Sequence, residues 1–147
     1  MTTYLVRPAR PTDSIAVRRL AQTVRREFRV TARGDGEESD FLADLLWVIE
    51  AGRAEIVGSC GVREGCAGVW QLHSLNLSHG WRGFGLGRSL VEEALRAAQA
   101  NGALAVECAV APEFVEATAL LTRLGFISGE MEADGRIRHV RSFTRAS

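Results

Sequence analysis

The sequence predicts a single-domain α/β (α+β) fold: a mixed, mostly antiparallel sheet of six or seven strands flanked by about four helices. Three observations carry this. The stretch from Trp47 to Leu77 reads as three strands joined by short glycine-bearing turns, an antiparallel meander. The stretch from Val69 to Val110 runs strand, glycine turn, helix, strand, which favours a parallel crossover. Apolar stripes at helical spacing fill the segments between.

The composition bounds the function. A chain of 147 residues has a single-domain length, and a hydrophobic fraction of 46% is enough for a sizeable core. Lys and Arg number 18, as do Asp and Glu, so nothing global points to nucleic acid or to a membrane surface. The N-terminus lacks a signal-peptide apolar run, and no segment is long enough to span a bilayer. Cys60, Cys66 and Cys108 have no metal-type spacing. Reduced thiols in the cytoplasm and no metal are the expectation. The sequence leaves a homodimer open.

Tyr4-Leu5-Val6-Arg7 reads as the first strand, closed by Pro8 and Pro11. Thr12 or Asp13 then caps a helix whose stripe is Val17, Leu20, Ala21, Val24 and Phe28. Its other face carries Arg18, Arg25 and Arg29, a solvated basic face or a patch for an anion. A polar link from Arg33 to Asp40 follows, and Phe41, Leu42, Leu45 and Leu46 suggest a short helix. Glu37, Glu38, Asp40 and Asp44 either attract an amine or solvate the surface.

Trp47 to Glu50 and Glu55 to Val62 form the first hairpin of the meander, and Val69 to Leu77 is its third strand. In that strand Trp70 and Leu72 place the apolar side on even positions, whereas Leu75 and Leu77 place it on odd ones. Side chains alternate with period two, so one buried face requires an extra residue, a β-bulge near His73-Ser74.

Leu86, Leu90, Val91, Ala94, Leu95 and Ala98 form the next helical stripe, with Glu92 and Arg96 as an outward i,i+4 pair. Leu104 to Val110 is apolar almost throughout, as a central strand should be. Pro112 opens a last helix along Phe114, Ala117, Leu121 and Leu124. Gly125 ends it, and Phe126-Ile127 starts a strand that returns through an Asp134-Gly135 turn into Ile137 to Phe143.

The chain is organised around the junction from Leu75 to Gly87. Alternate glycines at Gly83, Gly85 and Gly87 bring the backbone close to a ligand, and the helix that opens there presents unpaired N–H groups at its positive end. That combination suits phosphate. A dinucleotide fingerprint would need glycine where Leu90 or Arg88 stands, and a Walker loop would need a lysine that is missing. Arg-x-x-Gly-x-Gly remains, as Arg82, Gly85 and Gly87.

Following a Leu-x-Leu strand end, this pattern resembles the coenzyme A loop of the GNAT N-acetyltransferases. The likeness runs from about Tyr4 to Phe143 and includes the closing Leu124-Gly125-Phe126. It implies one acetyltransferase domain over residues 1–147, with a bulged fourth strand splayed from its neighbour. It also implies acetyl-CoA as co-substrate and a primary amine of a small or amino-acid-like acceptor as partner. The coenzyme would lie along Leu75, Asn76 and Leu77, with its pyrophosphate on the amides of Arg82, Gly83, Phe84, Gly85, Leu86, Gly87 and Arg88.

Three chemical tasks follow. The amine must lose its proton, and His73 is the candidate base. The thioester oxygen needs a donor, for which the Leu77 N–H is placed by the resemblance. The leaving thiolate needs a proton, yet Leu121 stands where many relatives carry a tyrosine, and Phe114 where an asparagine is common. Ser74, Cys108, water or the product ammonium are the alternatives. That departure keeps a coenzyme-binding module without turnover as a second reading, and a protein lysine or N-terminal acetylase as a third.

Overall fold

The computed structural model describes residues 3–29 and 45–143. Seven strands form one sheet: β1 (Tyr4–Pro8), β2 (Leu45–Ala51), β3 (Glu55–Arg63), β4 (Val69–Leu77), β5 (Ala105–Val110), β6 (Ile127–Met131) and β7 (Ile137–Ser142). Their order is β1-β2-β3-β4-β5-β7-β6, and only β4 and β5 run parallel. Three α-helices lie among the described residues: α1 (Ser14–Glu27), α2 (Leu86–Ala100) and α3 (Val115–Arg123). The parallel pair is joined through α2, as the strand–helix–strand order requires.

Both faces of the sheet are covered. Val48 and Ile49 are neighbours on β2, point to opposite faces, and are each fully buried. One face meets α2, where Leu90, Val91, Ala94 and Ala98 pack with Ile49, Cys60, Val62 and Val106. The other face meets α1, whose Val17, Leu20 and Val24 are buried. At the start of α1, Asp13 serves as an anchor. Its carboxylate takes two hydrogen bonds from the Arg7 guanidinium at 2.9 and 3.1 Å and one from the Arg10 N–H at 2.7 Å. The Arg7 hydrogen bonds hold the Asp13 carboxyl below the usual carboxylate range. Removing one partner of such a buried pair costs about 3–5 kcal/mol.

Strand β4 contains the expected irregularity. Gly61 pairs with His73 and Ser59 with Asn76, so Cys60 alone faces Ser74 and Leu75. Ser74 takes the extra-residue position with a left-handed φ of 55°, rare for a non-glycine. The bulge resets the alternation, so Leu75 and Leu77 join Trp70 and Leu72 on the α2 face.

Three local expectations are corrected. Leu45 and Leu46 begin β2; the rest of the expected short helix, with Glu37, Glu38, Asp40 and Asp44, lies outside the described residues. Asp13 takes the N-cap position of α1 as expected, at the end of a 3-10 turn over Pro11–Asp13. Glu92 pairs back to Arg88 at 2.7 Å, while Arg96 pairs with Glu93 at 3.5 Å. The last helix starts at Val115, three residues after Pro112.

Candidate active site

The site sits where the sheet opens. Strands β4 and β5 pair from Val69–Ala105 to Gln71–Glu107 and then part. Beyond Gln71 the open edge of β4 borders two cavities, of about 460 and 790 Å³. Leu75, Asn76, Phe114 and Ala117 line both, so the cavities meet at the bulge.

The larger cavity is bordered by the glycine turn. Leu77, Arg82, Gly83, Gly85, Leu86, Gly87 and Arg88 line it, together with Leu75 and Asn76; Phe84 projects to solvent, 73% exposed. Gly85 stands at the N-cap of α2 with φ 77°, and Gly83 has φ 85°. A Cβ built on either would meet nothing within 4 Å. The protein's own packing therefore leaves this space open, and the glycines serve the backbone conformation.

The first hydrogen bond of α2 runs from the Ser89 N–H to the Gly85 carbonyl, 3.1 Å. No backbone acceptor among the described residues takes the N–H groups of Gly83 through Arg88. A run of unsatisfied donors at the positive end of a helix of this length fits a phosphate group.

Arg82 departs from its expected place. Its N–H donates to the His79 carbonyl at 3.3 Å, which withdraws it from the run of open amides. Its guanidinium donates twice to the Leu77 carbonyl, at 3.0 and 2.9 Å, and pairs with Glu27 at the end of α1. Hydrogen bonding to Arg82 holds the Glu27 carboxyl below its ordinary range. The same guanidinium lies 4.9 Å above the Phe28 ring. Arg82 thus clasps the strand end to α1. Ser78 donates its N–H to Val57 at 2.8 Å, so strand alternation turns the N–H and carbonyl of Leu77 away from β3. The Leu77 carbonyl is the one Arg82 holds.

The smaller cavity holds His73, Gln71, Ser74 and Glu107. The His73 ring lies over Gly61, where a Cβ would come within 2.7 Å of its Cε1. His73 Nδ1 is 2.9 Å from Ser74 Oγ. Gln71 accepts from Arg63 Nε at 3.2 Å and reaches Glu107 at 3.5 Å. Arg18 and Arg25 of α1 also line this cavity, so that basic face does not simply face solvent.

Of His79, His139, Leu121 and Cys108, only Cys108 lines either cavity. His79 is exposed and borders Glu27 at 3.4 Å. His139 is 1% exposed on β7, and burial lowers its pKa. Leu121 is fully buried in the core and lines neither cavity. Burial pushes the Cys108 thiol up to about 12. Such a thiol gives up its proton less readily than an ordinary thiol, near 8.5, which weighs against Cys108 as the acid. Sequence reasoning missed Gly61, Ser59 and Glu107, because each acts through a neighbour distant in the chain.

A bulged β4 parts from β5, and a glycine turn of open amides stands at the parting. The chain belongs to the acetyltransferase (GNAT) family, whose model matches residues 17–126. Among solved structures it resembles a GNAT-family acetyltransferase from Staphylococcus aureus Mu50, at 13% identity with a TM-score of 0.82, covering 95% of this chain and 99% of that one. It also resembles yncA from Salmonella typhimurium, solved with its cofactor acetyl-CoA, at 13% identity, TM-score 0.73 and coverage of 99% and 96%. N-acetylglutamate synthase from Neisseria gonorrhoeae, solved with coenzyme A and N-acetyl-glutamate, is 12% identical with a TM-score of 0.76. That likeness covers 97% of this chain and 36% of the synthase. No curated protein matches the sequence significantly.

Proposed function

We propose that this chain, as one domain in the cytoplasm, moves an acetyl group from acetyl-CoA to a primary amine of a small or amino-acid-like acceptor. The observation that carries this reading is the run of unsatisfied N–H groups from Gly83 to Arg88 beside open glycine-lined space. Those amides would hold the coenzyme's pyrophosphate, and the outer edge of β4 at Leu75, Asn76 and Leu77 would receive its arm. When bound, acetyl-CoA supplies an activated acetyl thioester.

The chain's own residues then have separate tasks. The Leu77 N–H, turned away from β3, donates to the carbonyl oxygen as negative charge builds there. His73, beside the bulge in the smaller cavity, takes the proton from the acceptor ammonium. Ser74 Oγ, 2.9 Å from Nδ1, positions the His73 ring. The walls formed by Phe114 and Ala117 exclude water where the cavities meet. Ser74 or water protonates the leaving sulfur.

Thiol release from acetyl-CoA across an amine panel, with coenzyme A binding followed by calorimetry, tests the reading. Amine-dependent release is the expected result. Binding without release for any amine would favour a coenzyme-binding module, the reading that the buried Leu121 supports.

A further inference from the structure

The smaller cavity is unusually basic for a site that must receive an amine. Five arginines line it, against two glutamates. The two glutamates are already engaged, since Arg138 lies 3.4 Å from both Glu107 and Glu132. Arg136 is likewise matched, by Asp134 at 2.8 Å. Arg18 and Arg63 carry positive charge on the wall of this cavity. Arg63 on β3 directs its Nε to the neutral amide oxygen of Gln71. Arg18 on α1 has no ion-pair partner among the described residues. Arg18 and Arg25 lie two turns apart on α1, and the small Ala21 between them lines the same cavity.

A polyamine or other polycation would meet like charge on these walls. An amine that also carries a carboxylate would meet guanidinium forks suited to carboxylate oxygens. The same positive walls favour the neutral form of a nearby amine, which is the form that attacks. The geometry points to an acceptor that bears a carboxylate beside its amine, with Arg18 and Arg63, which line the same cavity as His73, receiving the carboxylate while the amine lies toward His73. This rests on the acetyl-transfer reading and narrows it to anionic or zwitterionic acceptors.

The test uses the full chain saturated with coenzyme A, so that no turnover is needed. Calorimetric titration compares matched pairs: phenylalanine with phenylethylamine, leucine with isopentylamine, and spermidine alone. The carboxylated member of at least one pair should bind about tenfold or more tightly than its decarboxylated partner, the worth of one charge-assisted hydrogen bond. Arg18→Gln and Arg63→Gln should each erase most of that advantage, with coenzyme A affinity serving as the folding control. Equal binding within every pair, tighter binding of spermidine, or no binding by any carboxylated amine would overturn the inference. An advantage that survives both substitutions would overturn it too. Failure of coenzyme A itself to bind would strike the acetyl-transfer reading instead, so the two failures are distinguishable.

Discussion

The Ser59 hydroxyl donates a hydrogen bond to the Ser74 carbonyl across β3 and β4, at 2.6 Å. Ser59 is fully buried, and Ser74 is the bulge residue in the left-handed region. The bond holds a backbone carbonyl within the bulge. Ser59→Ala removes this hydrogen bond, at a cost of about 0.5–1.5 kcal/mol. Denaturant unfolding should show the loss, and coenzyme A affinity should weaken with it because the outer edge of β4 is less well fixed. An unchanged midpoint and affinity would mean that the bulge holds itself.

Arg82 is expected to act through the Leu77 carbonyl. Arg82→Lys keeps the charge but loses the paired donors to that carbonyl. Coenzyme A affinity should fall about tenfold, the loss of one charged hydrogen bond. Glu27→Gln should cost less, because its contact is exposed. Equal losses would place the anchoring at α1 and not at the strand end.

Gly85 and Gly80 make a controlled pair. A Cβ on either meets nothing within 4 Å, but only Gly85 has a positive φ. Gly85→Ala should therefore lower stability by about 1–2 kcal/mol, while Gly80→Ala should be near neutral. Gly85→Glu should abolish coenzyme A binding in calorimetry by placing a carboxylate at the anion site. Normal binding by that variant would remove the turn from the site.

His73→Ala should lower kcat/KM by about 10²–10⁴ while leaving coenzyme A affinity intact. Its pH–rate profile should lose the fall in activity toward acid that an imidazole base imposes. A profile of unchanged shape would remove His73 from proton transfer.

His139 should set the pH at which stability first declines toward acid. Burial lowers its folded pKa below the ordinary 6.5, so the unfolded chain takes up the proton first as pH falls. The stabilisation is complete above that value and is lost as pH falls through it toward the folded pKa. Asp13 acts lower, below its ordinary 3.8, because its folded pKa is also lowered. Unfolding midpoints measured against pH should show two windows, and His139→Gln should flatten the upper one alone.

Much of this was legible in the chain because it rests on period. The parity change between Leu72 and Leu75 marked the bulge, since only an extra residue keeps both on one face. The glycine turn was legible because positive φ angles and open amides are local backbone properties. What failed depends on distant partners. Leu45 and Leu46 have helical spacing with Phe41 and Leu42, yet the Leu46 side chain fills the space over Gly61, 2.7 Å from where a Cβ would stand. The Arg82 side chain turns to Glu27, 55 positions earlier. The arginines of α1 share a helical face by spacing, but no spacing reveals that a cavity lies opposite.

Past Gln71 and Glu107 the two parallel strands no longer share a ladder. This is the seam at which the sheet is incomplete. A molecule threaded there would stand in for the missing cross-strand partner and tie together halves otherwise joined by a short stretch of pairing. Amide hydrogens flanking that seam should then exchange fastest in the bare protein and slow most sharply once coenzyme A is added, making the ligand a structural member of the sheet it enters.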